Sequence, residues 1–455
     1  MSHSLALERL RALGASALWV VYHDYSGLGR AKAVPKGRFA DVAASGVSFA
    51  MANWDLIVND HQVPHPAFGA DSGDFRALPD PAFIVPVPHR PGVAQAAATL
   101  LTDTGEPWPG DPRALLAAQV ERLAARGIGV QAAFEAEFAI VPADRGPDGL
   151  LADPGRMFTV DELDHRWALG ERLLAALETA EIPAHQWAKE YGPGQFELSL
   201  LPADPVAAAD RYLFARQVLR ALAREVGLQV SSMPKPFTDL PGNGLHVHIG
   251  LVGEDGTELV ADPGNAAGLG PVGRAAVAGL LAHAAAQSAL GSPTPNSYKR
   301  LLPGSWAPAH VAWALGNRAA LVRIPGRGAG RHLEYRAGDG LANAHLLLTG
   351  LLAAIADGLE RGLEPPASAA GIDVGHLDDA EARAQGFERL PDRLSRALDA
   401  LEADPVLLAA LGQVVPAHYL AVKRYELEMY RAESGADEDT TEVTPWERAT
   451  YFGVA

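Results

Sequence analysis

Cysteine is absent from all 455 residues, which excludes disulfides, thiolate zinc sites and cysteine nucleophiles. Any metal must therefore be bound through oxygen and imidazole. Positive charge is scarce: 38 Lys and Arg against 55 Asp and Glu leave a formal net charge of −17. With no Lys/Arg-dense patch to offset it, this balance argues against a nucleic-acid partner. No apolar run approaches the roughly 20 residues of a membrane span. Met1 to Leu13 reads as an amphipathic helix displaying Glu8, Arg9 and Arg11 rather than as a signal peptide. A cytoplasmic protein is the expectation, and the length predicts two domains or one large elaborated one.

Along the chain, Ala15–Tyr22 and Gly29–Val34 flank Asp24-Tyr25-Ser26-Gly27 and predict a hairpin. Phe49–Val58 and Ala82–Pro86 read as further strands of a β-rich domain over residues 1–108. Asp111 as N-cap and Pro112 at the first helical position then open a second domain, 109–455, with a helix running to Ala125. Further helices are predicted at Val160–Glu178, Pro205–Val226, Val272–Leu290, Ala344–Glu360 and Pro391–Ala403, and one led by Thr444-Pro445. Segment 367–389 reads as an irregular surface loop. Gly268-Leu269-Gly270-Pro271-Val272-Gly273 fits the dinucleotide pattern G-x-G-x-x-G, yet a loop rather than a buried strand precedes it, so it is discounted.

Four stretches carry chemistry. In Leu245-His246-Val247-His248-Ile249, behind the glycine-rich turn Gly242-Asn243-Gly244, two histidines share one strand face. Taken alone, that pair is a weak signal, since such pairs are more often packing or surface histidines than a site. In Phe134-Glu135-Ala136-Glu137-Phe138, two glutamates share a face about 7 Å apart between apolar flanks. At an effective dielectric of 20 this costs about 2 kcal/mol, which asks for a cation between them. Glu190 and Glu197 flank the turn Gly192-Pro193-Gly194, and His332, Glu334 and Arg336 alternate on a fourth stretch. Arg300, Arg318 and Arg323 add donors suited to phosphate and carboxylate oxygens. Glutamates with imidazole point to Mg²⁺ or Mn²⁺, and acidic ligands beside arginines fit phosphoryl transfer from a nucleotide. The residues alone reach a metal-dependent nucleotide enzyme acting on an anionic substrate.

Seven ordered motifs extend this reading: Phe-Glu-Ala-Glu-Phe (134–138), Glu-Tyr-Gly-Pro-Gly-Gln-Phe-Glu (190–197), Met-Pro-Lys-Pro (233–236), Gly-Leu-His-Val-His (244–248), Asn-Ser-Tyr-Lys-Arg (296–300), Asn-Arg (317–318) and Leu-Glu-Tyr-Arg (333–336). Together they resemble the glutamine synthetase family over nearly the whole chain. The resemblance implies an α+β fold, with a β-grasp-like N-terminal domain and a catalytic domain on a curved antiparallel sheet flanked by helices. It also implies homo-oligomers, usually dodecamers of two stacked rings, with active sites between subunits. By the same resemblance, Glu137, Glu190 and Glu197 hold one Mg²⁺ or Mn²⁺, and Glu135, His246 and Glu334 a second that faces ATP. His248, Arg323 and Arg318 then lie against the phosphates, with Arg327 or Arg331 replacing a further arginine whose place His332 has taken. Arg300 and Arg336 grip glutamate beside the Gly242 loop. The family reaction phosphorylates the γ-carboxylate of glutamate with ATP, and an amine then displaces phosphate.

Departures from the family pattern fall on the nucleophile side. Where ammonia-using members carry an ammonium-holding aspartate, a loop glutamate and a pocket tyrosine, this chain has Ala50, Trp306 and Met157. An apolar, aromatic pocket suits a primary amine with a carbon body. The resemblance therefore narrows to a γ-glutamyl-amine ligase using a polyamine, an ethanolamine-like amine or a small alkylamine, with Glu190 as the residue that deprotonates it. Pro241, where an asparagine often helps hold glutamate, keeps another carboxylic acid open as the first substrate. The alternatives are glutamine formation from ammonia, or a non-catalytic assembly. The tyrosine that some members adenylylate has no counterpart in 367–389.

Overall fold

A computed structural model describes residues 2–144, 156–262, 264 and 268–454. The first sheet has five strands in the order β2-β1-β5-β4-β3. They are β1 (Ala17–His23), β2 (Gly29–Pro35), β3 (Val47–Ala50), β4 (Asp74–Pro86) and β5 (Val93–Leu101). β1 and β2 form the predicted hairpin, and β1 runs parallel to β5, which places the sole parallel pair of this sheet at its centre. The strand expected over Phe49–Val58 is mostly wrong. β3 ends at Ala50, and Met51–Asp55 winds into a 3₁₀ turn that buries Met51, Trp54 and Asp55. Buried aromatic residues there serve a turn rather than a strand: Trp54 packs among the rings of Tyr22, Tyr25 and Phe75.

The second sheet has eight strands, curved and mostly antiparallel. Its members are β6 (Ile128–Pro142), β7 (Ala184–Lys189), β8 (Gln195–Leu200), β9 (Leu228–Ser231), β10 (Leu245–Gly253), β11 (Trp313–Leu315), β12 (Val322–Ile324) and β13 (Leu333–Tyr335). The order is β11-β12-β13-β10-β6-β8-β7, with β9 also pairing the far end of β6. Among the described residues, only β11 and β12 run parallel in this sheet. β6 is the axis of the assembly: its 15 residues pair with β8 on one side and with β10 and then β9 on the other.

Helix α3 (Pro112–Ala124) starts as predicted, with Asp111 accepting from Arg113 N. The stretch 160–178 divides into α4 (Val160–His165) and α5 (Trp167–Thr179). Likewise 272–290 divides into α7 (Pro271–Ala282) and α8 (Ala284–Gly291). The break in the second case is His283, whose ring sits 2.6 Å from Asp404 and 3.0 Å from Asp357. A histidine paired with two carboxylates fixes the bend better than alanine-rich helix propensity can resist it. Helix α6 (Pro205–Glu225) lies against β6, and α9 (Ala344–Arg361) is buried through Gly358. α9 approaches α7 so closely that a Cβ on Gly279 would meet Ala354 O at 2.0 Å.

Segment 367–389 is more ordered than expected. It holds a capped helix, α10 (Asp379–Ala384), and inserts Ala369, Val374, Ala382 and Phe387 into a small core with Ala312, Ala314 and Ala320. Small side chains at short spacing hid this core from a period-based reading. At the C-terminus, Thr444 and Glu447 form the expected capping box. Part of the discounted glycine motif's approach, Pro263 and residues 265–267, lies outside the described residues. Gly268 itself has φ of +66°, and a Cβ there would fall on the guanidinium of Arg331.

Candidate active site

Strand register assembles the site in three rows across one face of the second sheet. Gln186 on β7, Ser199 on β8, Glu135 on β6 and His246 on β10 form the first. The second sets Glu197 on β8 directly opposite Glu137 on β6. The third runs Ala133, His248, Glu334 and Arg323 across β6, β10, β13 and β12. Each row follows from alternation along a strand, which turns residues two apart to the same face.

His246 lies between the two carboxylates of the Phe-Glu-Ala-Glu-Phe stretch: Nδ1 is 2.7 Å from Glu135 Oε1 and Nε2 is 3.9 Å from Glu137 Oε1. Its Nδ1 is also 3.8 Å from Glu334 Oε1. Among the described residues, Glu135, His246 and Glu334 form a group able to share one metal ion. Burial works against the charged form of Glu135, but hydrogen bonds and charge from His246 and His248 hold its carboxyl well below the usual range. Glu334 is fully buried and is likewise held low against burial, by Arg336 first, then His246, His248 and Arg323. Arg323 donates to Glu334 at 2.8 Å, and Arg336 donates to its other oxygen.

The second carboxylate group behaves oppositely. Burial and then the charges of Glu135, Glu137 and Glu190 push Glu197 up to about 8, although Gln186 donates to it at 2.9 Å. Burial and the Glu137 charge raise Glu190 to about 7, with Arg318 pulling the other way. Like charges directly opposite on neighbouring strands are destabilising. This arrangement, with acceptor oxygens converging and few donors to share, fits a divalent cation: binding one removes the repulsion that raises both groups.

Around this core, the Gly242-Asn243-Gly244 turn is tightly drawn. Gly244 N donates to Glu137 at 2.7 Å, and a Cβ on Gly244 would lie 2.6 Å from Arg300 Nη2 and 2.8 Å from His246 Nε2. Arg300 is buried and directs its guanidinium to the carbonyls of Arg336 and Gly338, at 3.0 and 3.1 Å. Arg336 Nε donates to Arg318 O at 2.9 Å, tying these two arginine segments together. A cavity of about 380 Å³ opens on Glu135, His248, Arg331 and His332, with Gln186 and Ser199 on its far wall. A second cavity, about 540 Å³, is lined by Trp306, Arg318, Asn317, Asp373 and His376, and shares no lining residue with the first.

The remaining expected residues lie apart. Trp306 is 67% exposed, with φ of +61°, where a bulky side chain is disfavoured. Met157 is also exposed; the neighbouring Phe158 N donates to Lys189 O at 3.2 Å, beside Glu190. Ala50 ends β3 on the N-terminal sheet, opposite Asp74, and lines neither cavity. The structure also adds contacts that the motifs do not show. Gln195 Nε2 reaches Gly242 O at 2.9 Å and Asn243 Oδ1 at 3.1 Å. His332 Nε2 is 2.9 Å from His248 Nδ1. Gln186 was open to inference, because it stands opposite Ser199, two residues beyond Glu197.

Comparison with known proteins agrees over the whole chain. Residues 7–108 match the glutamine synthetase N-terminal domain, and residues 109–451 match the glutamine synthetase catalytic domain. The gamma-glutamylpolyamine synthetase GlnA3 of Streptomyces coelicolor is 34% identical, covering 91% of this chain and 90% of that one. The glutamate–methylamine ligase of Methyloversatilis universalis is 33% identical over 99% of both chains, and a glutamine synthetase of Pyrococcus abyssi is 31% identical over 95% of both. A solved GmaS–ADP complex superposes with a TM-score of 0.83 at 30% identity, covering 98% of each chain. The chain belongs to the glutamine synthetase family and is a carbon–nitrogen ligase.

Proposed function

We propose that this ATP-dependent γ-glutamyl ligase joins glutamate to an organic primary amine. The observation that carries the reading is the cavity at Trp306 and Arg318. There an indole, lining an open cavity with Arg318, stands where ammonia-using relatives are expected to carry a carboxylate.

In this reading, residues 1–108 form the N-terminal domain and 109–455 the catalytic one. Glu135, His246 and Glu334 would hold one Mg²⁺ or Mn²⁺, and Glu137, Glu190 and Glu197 another; these ions, when bound, neutralise charge on the phosphate oxygens. His248, Arg323 and Arg331 orient the nucleotide, and Arg318 faces the transferred group. Arg300, Arg336 and the Gly242 loop hold glutamate so that its γ-carboxylate oxygen attacks the γ-phosphorus as ADP leaves. The amine nitrogen then attacks the acyl carbon, phosphate departs, and Glu190 accepts the amine proton. Trp306 faces the carbon body of the amine, and Met157, which lines neither cavity, stands beside Glu190 through Phe158. Ala50, remote from both cavities of its own chain, contributes only if a second copy supplies it, which fits a ring dodecamer with sites between subunits.

The test is phosphate release from ATP and glutamate across a panel of ammonium, methylamine, ethanolamine and diamines, with the amide product identified by mass. A γ-glutamyl amide formed faster than glutamine supports the reading. The identity to the Pyrococcus glutamine synthetase favours the second reading, glutamine formation, which the same panel would establish if ammonium leads.

A further inference from the structure

The second cavity contains one carboxylate that the reaction does not require. Asp373 lines it together with Trp306, Asn317 and Arg318, on a segment that sequence alone reads as featureless loop. That segment is fixed in place. Gly304 N donates to Gly375 O at 2.6 Å, joining it to the loop that carries Trp306. Asn317 Nδ2 donates to Ile372 O at 2.9 Å, joining it to the segment that carries Arg318. His376 Nδ1 sits 2.9 Å from Asp373 Oδ2 and orients the carboxylate. Val374 anchors the segment in its small core.

Arg318, Trp306, Asp373 and His376 line this one open cavity, and the charge of Arg318 is felt at the Glu190 carboxyl. Asp373 and His376 are both exposed. A monoamine reacting beside Glu190 uses the indole but leaves Asp373 facing water. An amine with a second ammonium group uses both: methylenes against the indole, and the far cation on the carboxylate.

We infer that Asp373 is a specificity-determining residue that binds the distal ammonium of a di- or polyamine. This deepens the proposed function and rests on it. Asp373 is remote from the bond being made, so it acts on the KM of the amine and not on the chemical step.

The experiment compares 1,4-diaminobutane with 1-aminobutane, at saturating ATP and glutamate, in the wild type, Asp373→Asn and Asp373→Glu. The wild type is expected to show the lower KM for the diamine. Asp373→Asn should raise the diamine KM about three- to fivefold, the range of an exposed ion pair, and leave the monoamine KM unchanged. Asp373→Glu should retain most of the discrimination. Equal KM values for the two amines in the wild type, or an equal shift for both in Asp373→Asn, overturns the inference. Turnover of ammonium with neither amine accepted overturns instead the amine-ligase reading beneath it.

Discussion

The two cavities were made by different means. The one at Glu135 and His248 is built mainly on strands, where register sets Glu135, His248, Gln186 and Ser199 beside the fully buried Glu334. The one at Trp306 is built from loops, with an exposed indole in a disfavoured backbone region and an exposed carboxylate. Strand-built sites hold geometry closely, whereas loop-built walls can change side chains without disturbing the frame. The strand-built half is therefore rigid and over-determined, and the loop-built half is open to revision; in the proposed function the first handles ATP and metal and the second selects the nucleophile.

The largest effect that contrast predicts is at Glu334. Glu334→Ala leaves Arg323 and Arg336 without their shared carboxylate. Breaking a buried pair in this way costs about 3–5 kcal/mol, so a lowered melting temperature should accompany near-total loss of phosphate release. A melting temperature equal to the wild type's would show that the strand-built half is less tightly determined than it looks.

The legibility of the molecule divides along the same line. Period-2 alternation exposed Glu135/Glu137 and His246/His248 as same-face pairs, and the seven motifs joined strands far apart in sequence. The hairpin and most helices followed from ordinary capping and periodicity, whereas the curved antiparallel sheet followed only from the family resemblance. What stayed hidden depended on tertiary contacts. Nothing in the alanine-rich run around His283 announces that two distant aspartates bend it. Trp54 and Met51 look like strand residues but pack a turn. The 367–389 segment lacks any period, yet its alanines and Phe387 bury a core that holds Asp373 in place. Ala50 lines neither cavity of its own chain.

Gly244→Ala tests how finely the strand-built half is set. The added methyl would meet both Arg300 and His246. A displacement near 1 Å at reacting groups costs about 100-fold in rate, so kcat should fall by that order while far-ultraviolet circular dichroism stays unchanged. A loss under threefold would mean the turn yields easily.

Trp306→Ala should act on the other half alone. Removing an indole face from an alkylamine costs about 1–2 kcal/mol, seen as a rise of about tenfold in amine KM with the KM for ATP unaltered. Equal changes in both constants would join the two halves that the geometry separates.

The smallest effect is on the pH dependence of stability. Glu190 and Glu197, at about 7 and about 8, sit above the ordinary carboxylate value, so the metal-free folded protein retains protons that the unfolded chain has lost. Their contribution is full below about pH 4 and is lost as pH rises through 7 to 8. In chelator, the melting temperature should decline from pH 5 to pH 8.5. Saturating Mn²⁺ should raise it more at the alkaline end, with protons released on binding. A Mn²⁺ effect independent of pH would remove the carboxylate pair from the cation site.

The most direct measurement of the central claim is a competition in one vessel. Equimolar ammonium and 1,4-diaminobutane are supplied with ATP, glutamate and Mn²⁺, and the amide products are counted by mass spectrometry. The account predicts γ-glutamyl-diaminobutane in at least about tenfold excess over glutamine, the discrimination that burying one or two methylenes provides. Glutamine as the dominant product would contradict it.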